Sequence, residues 1–332
     1  MNVSNLSRSG SLLWALGALA CATPALAVSV ATVPVGYMKY SVAGTATSSV
    51  GIPLDDTAVP SAGIRAGKIE SYTANTIGNS GGGWTGSLTS ASAPWLVRIT
   101  SGPSAGKTLD VTANTATTLT ISGTDLTTLG LTAGTDTFEL VPLDTLFGLF
   151  GSASLQGGTT AASADNVQVR VGSTLFVYYY DTNLGFWRRN IGPAVSANNV
   201  PVRPGTGVQI VRRGGAMEFT FTGRVPATTF RAAIFNSGTT TITAGFPTDT
   251  TLGGFAAQTA LSGWRNGVDL VGVYNGSTFV NYSFNGSFWQ PAAGPATNSD
   301  SLSIPAGALI NIQRPGATAG TTDLVRNLPY SL

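Results

Sequence analysis

Apolar and polar residues alternate over short stretches of this chain, and Gly, Pro, Asn and Asp interrupt them at close intervals. Phe219 and Phe221 alternate with Thr220 and Thr222. Val208 with Ile210, and Ile310 with Ile312, follow the same rule, and Leu119 and Ile121 run into a turn at Asp125. A period of two over a few residues is the mark of a strand with one buried face. Gly (42) and Pro (17) are frequent enough to leave little room for helices, which each interior glycine weakens by about 1 kcal/mol. The best helix candidate, 143–155, is interrupted by Gly148 and Gly151. The pattern predicts an all-β protein.

The C-terminal two-thirds carries one set of landmarks twice. Gly172-Ser173-Thr174, Phe186-Trp187, Pro193, Val202, Gly205, Val208, Ile210 and Arg212 return as Gly276-Ser277-Thr278, Phe288-Trp289, Pro295, Ile304, Gly307, Ile310, Ile312 and Arg314. Upstream, Pro142-Leu143-Asp144-Thr145-Leu146-Phe147-Gly148 matches the run from Pro247 to Gly253. The entry Gly245-Phe246-Pro247 has its counterpart far earlier, at Gly51-Ile52-Pro53. The first copy is therefore read as split by an insertion. Residues 28–56 with 142–216 form a first β unit, 57–141 an inserted module, and 217–332 a second β unit. Such an internal duplication predicts two related β units in one sandwich- or barrel-like body, with a small β module projecting from it. Within the insert, strands are expected at 68–73, 84–89, 95–100, 108–112, 117–122 and 137–141.

Residues 1–27 read as an export signal: Arg8 in a polar leader, an apolar stretch at 12–20, and Ala25-Leu26-Ala27 as an A-x-A cleavage site. The apolar stretch is too short to span about 30 Å of hydrocarbon. Lipidation of Cys21 is the alternative, but the residues before it lack the leucine usual three places ahead. Cleavage after Ala27 removes Cys21, the one cysteine, so no disulfide is expected. The expected location is secreted or on the outer cell surface. No transmembrane segment is expected after cleavage, although an outer-membrane β-barrel would give only a weak signal per strand.

Charge sharpens this picture. Only 10% of residues are charged and the net charge is +2, against roughly 25% charged in ordinary soluble domains. Nothing here suits nucleic acid. A surface built of Thr, Ser, Asn and Gly lacks the repulsion that keeps copies apart, so self-association is expected.

Candidate chemistry is sparse. The chain has no histidine, which removes Ser-His-Asp and Cys-His machinery and His-containing metal sites. Gly78-Asn79-Ser80-Gly81-Gly82 fits the nucleophile elbow by letter but has no helix signal after it. The turn from Gly102 to Thr108 is one residue short of a phosphate-binding loop and lies between strand patterns, so it reads as a β-turn with a solvated Lys107. The acids sit in no recognisable catalytic or calcium-loop pattern. No catalytic residue, cofactor or metal site is assigned, and a hydrolase using two carboxylates about 5–9.5 Å apart is the third reading. Arg188-Arg189 and Arg212-Arg213 read as solvated strand ends.

The aromatics are the remaining candidates. In each copy they flank a short turn, 181–185 and Asn285-Gly286, which predicts a hairpin. Tyr178, Tyr180, Trp187, Tyr282 and Trp289 are candidates for contact with a cell-envelope glycan or a partner, if their rings are exposed and not core.

The run from Leu96 to Pro142, with its turn Thr100 to Lys107, Ala113 to Thr120 and Ala133 to Pro142, resembles a family of secreted, β-rich bacterial proteins of unknown function, of Verrucomicrobia type. Asp144 to Gly148, the Phe186-Trp187 pair and Leu328 to Tyr330 fit the same resemblance. It implies export and a β-rich fold, and brings no catalytic residues. Many such proteins end in a sorting tail, which the residues up to Leu332 do not resemble. The leading expectation is a non-catalytic structural or assembly protein outside the cell. An extracellular glycan-binding module is the runner-up.

Overall fold

The computed structural model describes residues 34–331 except 91, 92, 172, 173 and 317. The expected export signal, Cys21 and the landmarks Gly172 and Ser173 lie outside the described residues. The protein is nearly all-β. The helix expected at 143–155 is a single turn, Leu146–Phe150, stopped at Gly151. No helix among the described residues is long and apolar enough to cross a membrane.

Beside an eight-stranded sheet in the insert stand two five-stranded antiparallel sheets. The first runs Phe186–Arg189, Thr174–Asp181, Asn166–Val171, Gly207–Val211, Thr47–Gly51. The second runs Trp289–Pro291, Phe279–Phe284, Leu270–Tyr274, Leu309–Arg314, Gly238–Thr243. Numbered along its own stretch of chain, each sheet has the order 4-3-2-5-1. Each is accompanied by a two-stranded ribbon: Val35–Val42 with Met217–Arg224, and Phe230–Phe235 with Thr321–Arg326. Each also has a one-turn helix whose N-cap threonine accepts a backbone N–H, Thr145 from Gly148 at 3.1 Å and Thr251 from Gly254 at 3.0 Å.

Met217–Arg224, grouped from the sequence with the second unit, closes the first. Its inward residues Phe219 and Phe221 pack on Phe150, with ring centroids 5.7 and 6.3 Å away. The ladder to Val35–Val42 runs along the whole strand.

Three large cores form separately, beside a small cluster of Leu96, Val141 and Leu143. The first unit buries Leu146, Phe150, Val167, Trp187, Ile210 and Phe219. The second buries Leu252, Phe255, Val271, Trp289, Ile310 and Leu324. The insert buries Ile77, Trp84, Val97, Leu119, Phe138 and Leu140. Its sheet runs Ala66–Lys68, Thr137–Pro142, Ala93–Ile99, Thr108–Asn114, Thr118–Ser122, Thr76–Gly78, Ser71–Tyr72. The two outermost strands belong to one continuous run of chain, so the sheet curls until its edges meet there. Expected strand 84–89 is mostly loop, with only Thr89–Ser90 paired. Trp84 points inward instead, and its indole N–H donates to the Ile64 carbonyl at 2.8 Å.

The two units are joined by reciprocal backbone hydrogen bonds. Gly51 N–H donates to the Gly307 carbonyl at 2.9 Å, and Thr243 N–H to the Gly205 carbonyl at 2.8 Å. Gly51 and Thr243 end corresponding strands. Gly205 and Gly307 occupy corresponding turns, at φ +74° and +72°. There is no room for side chains: a Cβ on Gly307 would lie 1.9 Å from the Tyr40 hydroxyl, and one on Gly205 2.3 Å from the Phe230 ring.

Gly307→Ala should therefore cost about 2–4 kcal/mol, combining left-handed backbone strain with overpacking. Gly316→Ala, at φ +66° but in open space, should cost only the strain, about 1–2 kcal/mol. Urea midpoints of the two variants check this. Equal losses would mean that the joint is looser than the geometry implies.

Candidate functional site

The three bodies meet beside a cleft, and ion pairs join them to one another. Arg98 of the insert is buried and grips Asp55 of the first unit with two bonds of 2.6 Å, while donating to Glu139 at 2.9 Å. Arg224, at the end of the first ribbon, reaches Glu139 at 3.4 Å and Asp55 at 3.8 Å. On the other side, the insert docks on the second unit through the turn once compared with a phosphate loop. Lys107 pairs with Asp323 at 3.0 Å. Arg231 donates to the carbonyls of Pro103 and Ala105 at 2.8 and 3.0 Å and pairs with Asp323 at 3.1 Å. Lys107 is thus a docking residue and not a solvated one. Gly106 is required here, since a Cβ would lie 2.2 Å from the Thr229 carbonyl oxygen. Arg203 adds a further contact, its Nη2 donating to both carboxylate oxygens of Asp110 of the insert at 2.7 and 2.9 Å.

The cleft beside these pairs has a volume of about 560 Å³, within the range of small-molecule sites. Its floor is apolar, with Val169, Val202, Phe230, Phe235 and Ile242, and Leu96 from the insert. Arg170, Arg203 and Arg231 stand among the lining residues. No sequence reasoning assembled this site, because its residues come from three bodies and carry no motif.

The aromatic candidates are placed elsewhere. Trp187 and Trp289 are 1% and 0% exposed, and Tyr178 is also buried. Trp187 donates from its indole to the Gly151 carbonyl at 2.7 Å. Trp289 packs on Trp264 and Phe284 at 5.5 and 5.6 Å. Tyr180 and Tyr282 are half-buried against the same two cores. The exposed platform is corrected to core, and the reason is the pleat: the short strands Phe186–Arg189 and Trp289–Pro291 each turn their tryptophan inward. The glycan reading loses its two indoles with it.

Arg212 is likewise not a solvated strand end. It pairs with Asp165, which is fully buried and also accepts from Gln156 N–H at 2.7 Å and Arg213 N–H at 2.6 Å. Asp269 holds the corresponding place in the second unit, between Arg265 and Arg314. The signal was available: Asp165 and Asp269 stand just before corresponding strands, as Arg212 and Arg314 do at the end of theirs. Among the described residues no group of acids, Cys or His is arranged to hold a metal.

One carboxyl stands out. Asp144 is pushed up to about 7, first by burial and then by the charges of Asp56 and Asp55. The folded protein therefore keeps its proton through a range where the unfolded chain, with an ordinary value near 4, has lost it. Stability is lost as pH rises from about 4 to about 7. Asp144→Asn should raise the melting temperature at pH 8 and leave it nearly unchanged at pH 3.5, a comparison that calorimetry makes directly. Arg98→Met should cost about 3–5 kcal/mol by stranding Asp55, and adding Asp55→Leu should recover much of that. Chemical denaturation of the single and double variants measures both, and a double variant no better than the single would contradict the pairing.

Comparison with family models, with curated proteins and with solved structures finds no match for this chain.

Proposed function

We propose that this is an exported, non-catalytic assembly protein of the cell surface or extracellular space, built from a duplicated β unit and acting by association. The shared 4-3-2-5-1 order and the matching caps and ion pairs support duplication. The leader at 1–27 supports export. Five of the 15 acids are held in ion pairs that join elements far apart in the chain, and the rest of the surface is rich in Thr, Ser and Gly.

The observation that carries the reading is an apolar edge on the first sheet. The edge strand Phe186–Arg189 is flanked by Leu184, Ile191 and Val195, which are 43%, 71% and 64% exposed. At the corresponding places the second unit has Ala293 and Thr297 in place of Ile191 and Val195. Packing does not require large apolar groups there, since the second unit folds without them. Their exposure on one unit only favours a single contact patch.

Sedimentation velocity of residues 28–332 over a wide concentration range tests this. Concentration-dependent association is expected, weakened at least tenfold in the double variant Ile191→Ser with Val195→Ser. A chain that remains monomeric at high concentration would retire self-association.

A further inference from the structure

The cleft is bordered by open backbone as well as by side chains. Phe230–Phe235 pairs with Thr321–Arg326 and, among the described residues, with no other strand. Phe230, Arg231, Ala232, Ala233 and Phe235 all line the cleft. A strand presenting one face would contribute alternate residues. This strand contributes neighbours, so its edge faces inward.

The direction of the amides follows from Phe235, whose N–H leaves the ribbon to donate to Thr240 Oγ1 at 2.9 Å. With a period of two, the N–H and C=O of Ala233 and Arg231 point the same way. Ala233 is exposed. The neighbouring strand Gly238–Thr243 ends the second sheet, and its Thr240, Thr241 and Ile242 also line the cleft. Three arginines, Arg170, Arg203 and Arg231, line it and no carboxylate does, Asp110 and Asp323 reaching Arg203 and Arg231 from outside the lining. The lining of the cleft is therefore cationic.

We propose that the cleft receives an extended peptide segment, added as a strand to the free edge of Phe230–Phe235, with apolar side chains entering the cleft at alternate positions and acidic residues at its ends. Unpaired edge amides supply the affinity in such strand addition, and the pockets for alternate side chains supply the selection. Six residues of edge span about 20 Å, which sets the length of the segment. The inference rests on the reading of a protein that works by association, but it does not use the Ile191 patch.

The probe is a fluorescein-labelled synthetic peptide, EVTVTVD, titrated into the protein and read by fluorescence anisotropy. Saturable binding is expected, with slowed hydrogen exchange at Ala233. Ala233→Pro removes an amide directed away from the ribbon partner, so the fold should survive while binding falls at least tenfold. Should that variant misfold, the same peptide N-methylated at alternate amides makes the test on the wild-type chain and should bind at least tenfold more weakly. The peptide KVTVTVK should bind more weakly than EVTVTVD. No saturable binding up to millimolar peptide would overturn the proposal. So would binding indifferent to both Ala233→Pro and N-methylation, or sodium dodecanoate filling the cleft while EVTVTVD does not. Peptide binding by a strictly monomeric protein would retire self-association and leave this proposal standing. Self-association without peptide binding would do the reverse.

Discussion

The structure depends on how closely two backbones approach at the joint between the units. Each unit offers the end of an edge strand and a tight turn, and the two exchange one hydrogen bond in each direction. Such contact is possible only where side chains are missing or bent away. That is why Gly51, Gly205 and Gly307 meet there, with Tyr40 and Phe230 closing over them. The first sheet and the second are thereby fixed in register with no shared hydrophobic core. The cleft exists because the bodies touch along a narrow seam of backbone and not along a broad apolar face.

Charge then does what the missing shared core cannot. A buried ion pair is a weak source of stability, because desolvation offsets the attraction. Its geometric demands make it a good source of placement. Arg98 grips Asp55 across the boundary between the insert and the first unit, and Lys107 and Arg231 converge on Asp323 across the boundary with the second. In a chain with 17 basic and 15 acidic residues, these boundary pairs draw on a small supply of charge.

Much of the fold was legible in residue order because local rules wrote it. Period-two runs such as 207–211 and 309–314 became central strands, and Asn285-Gly286 became a hairpin turn. Reading failed where the partner was distant. Met217–Arg224 alternates as a strand should, but nothing local says that its ladder is with Val35–Val42. Trp84 looked like a strand residue because indoles favour strands, whereas its packing made it the plug of the insert's core. The cleft was least legible. Val169, Val202, Phe230 and Ile242 are ordinary strand apolars, and only the seam between units turns them toward one space.

The insert begins and ends on neighbouring strands, since Ala66–Lys68 pairs directly with Thr137–Pro142. A guest whose two ends emerge side by side asks almost nothing of its host: the loop it replaces need not be stretched, and closing that loop has a small entropic cost that grows only slowly with length. Its core is also its own. The module is thus portable in the sense that a gene could acquire or lose it without redrawing the sheets around it. Asp55, Asp323 and Arg203 would register the loss, and Arg224, already 3.8 Å from Asp55, stands where a replacement partner would be needed.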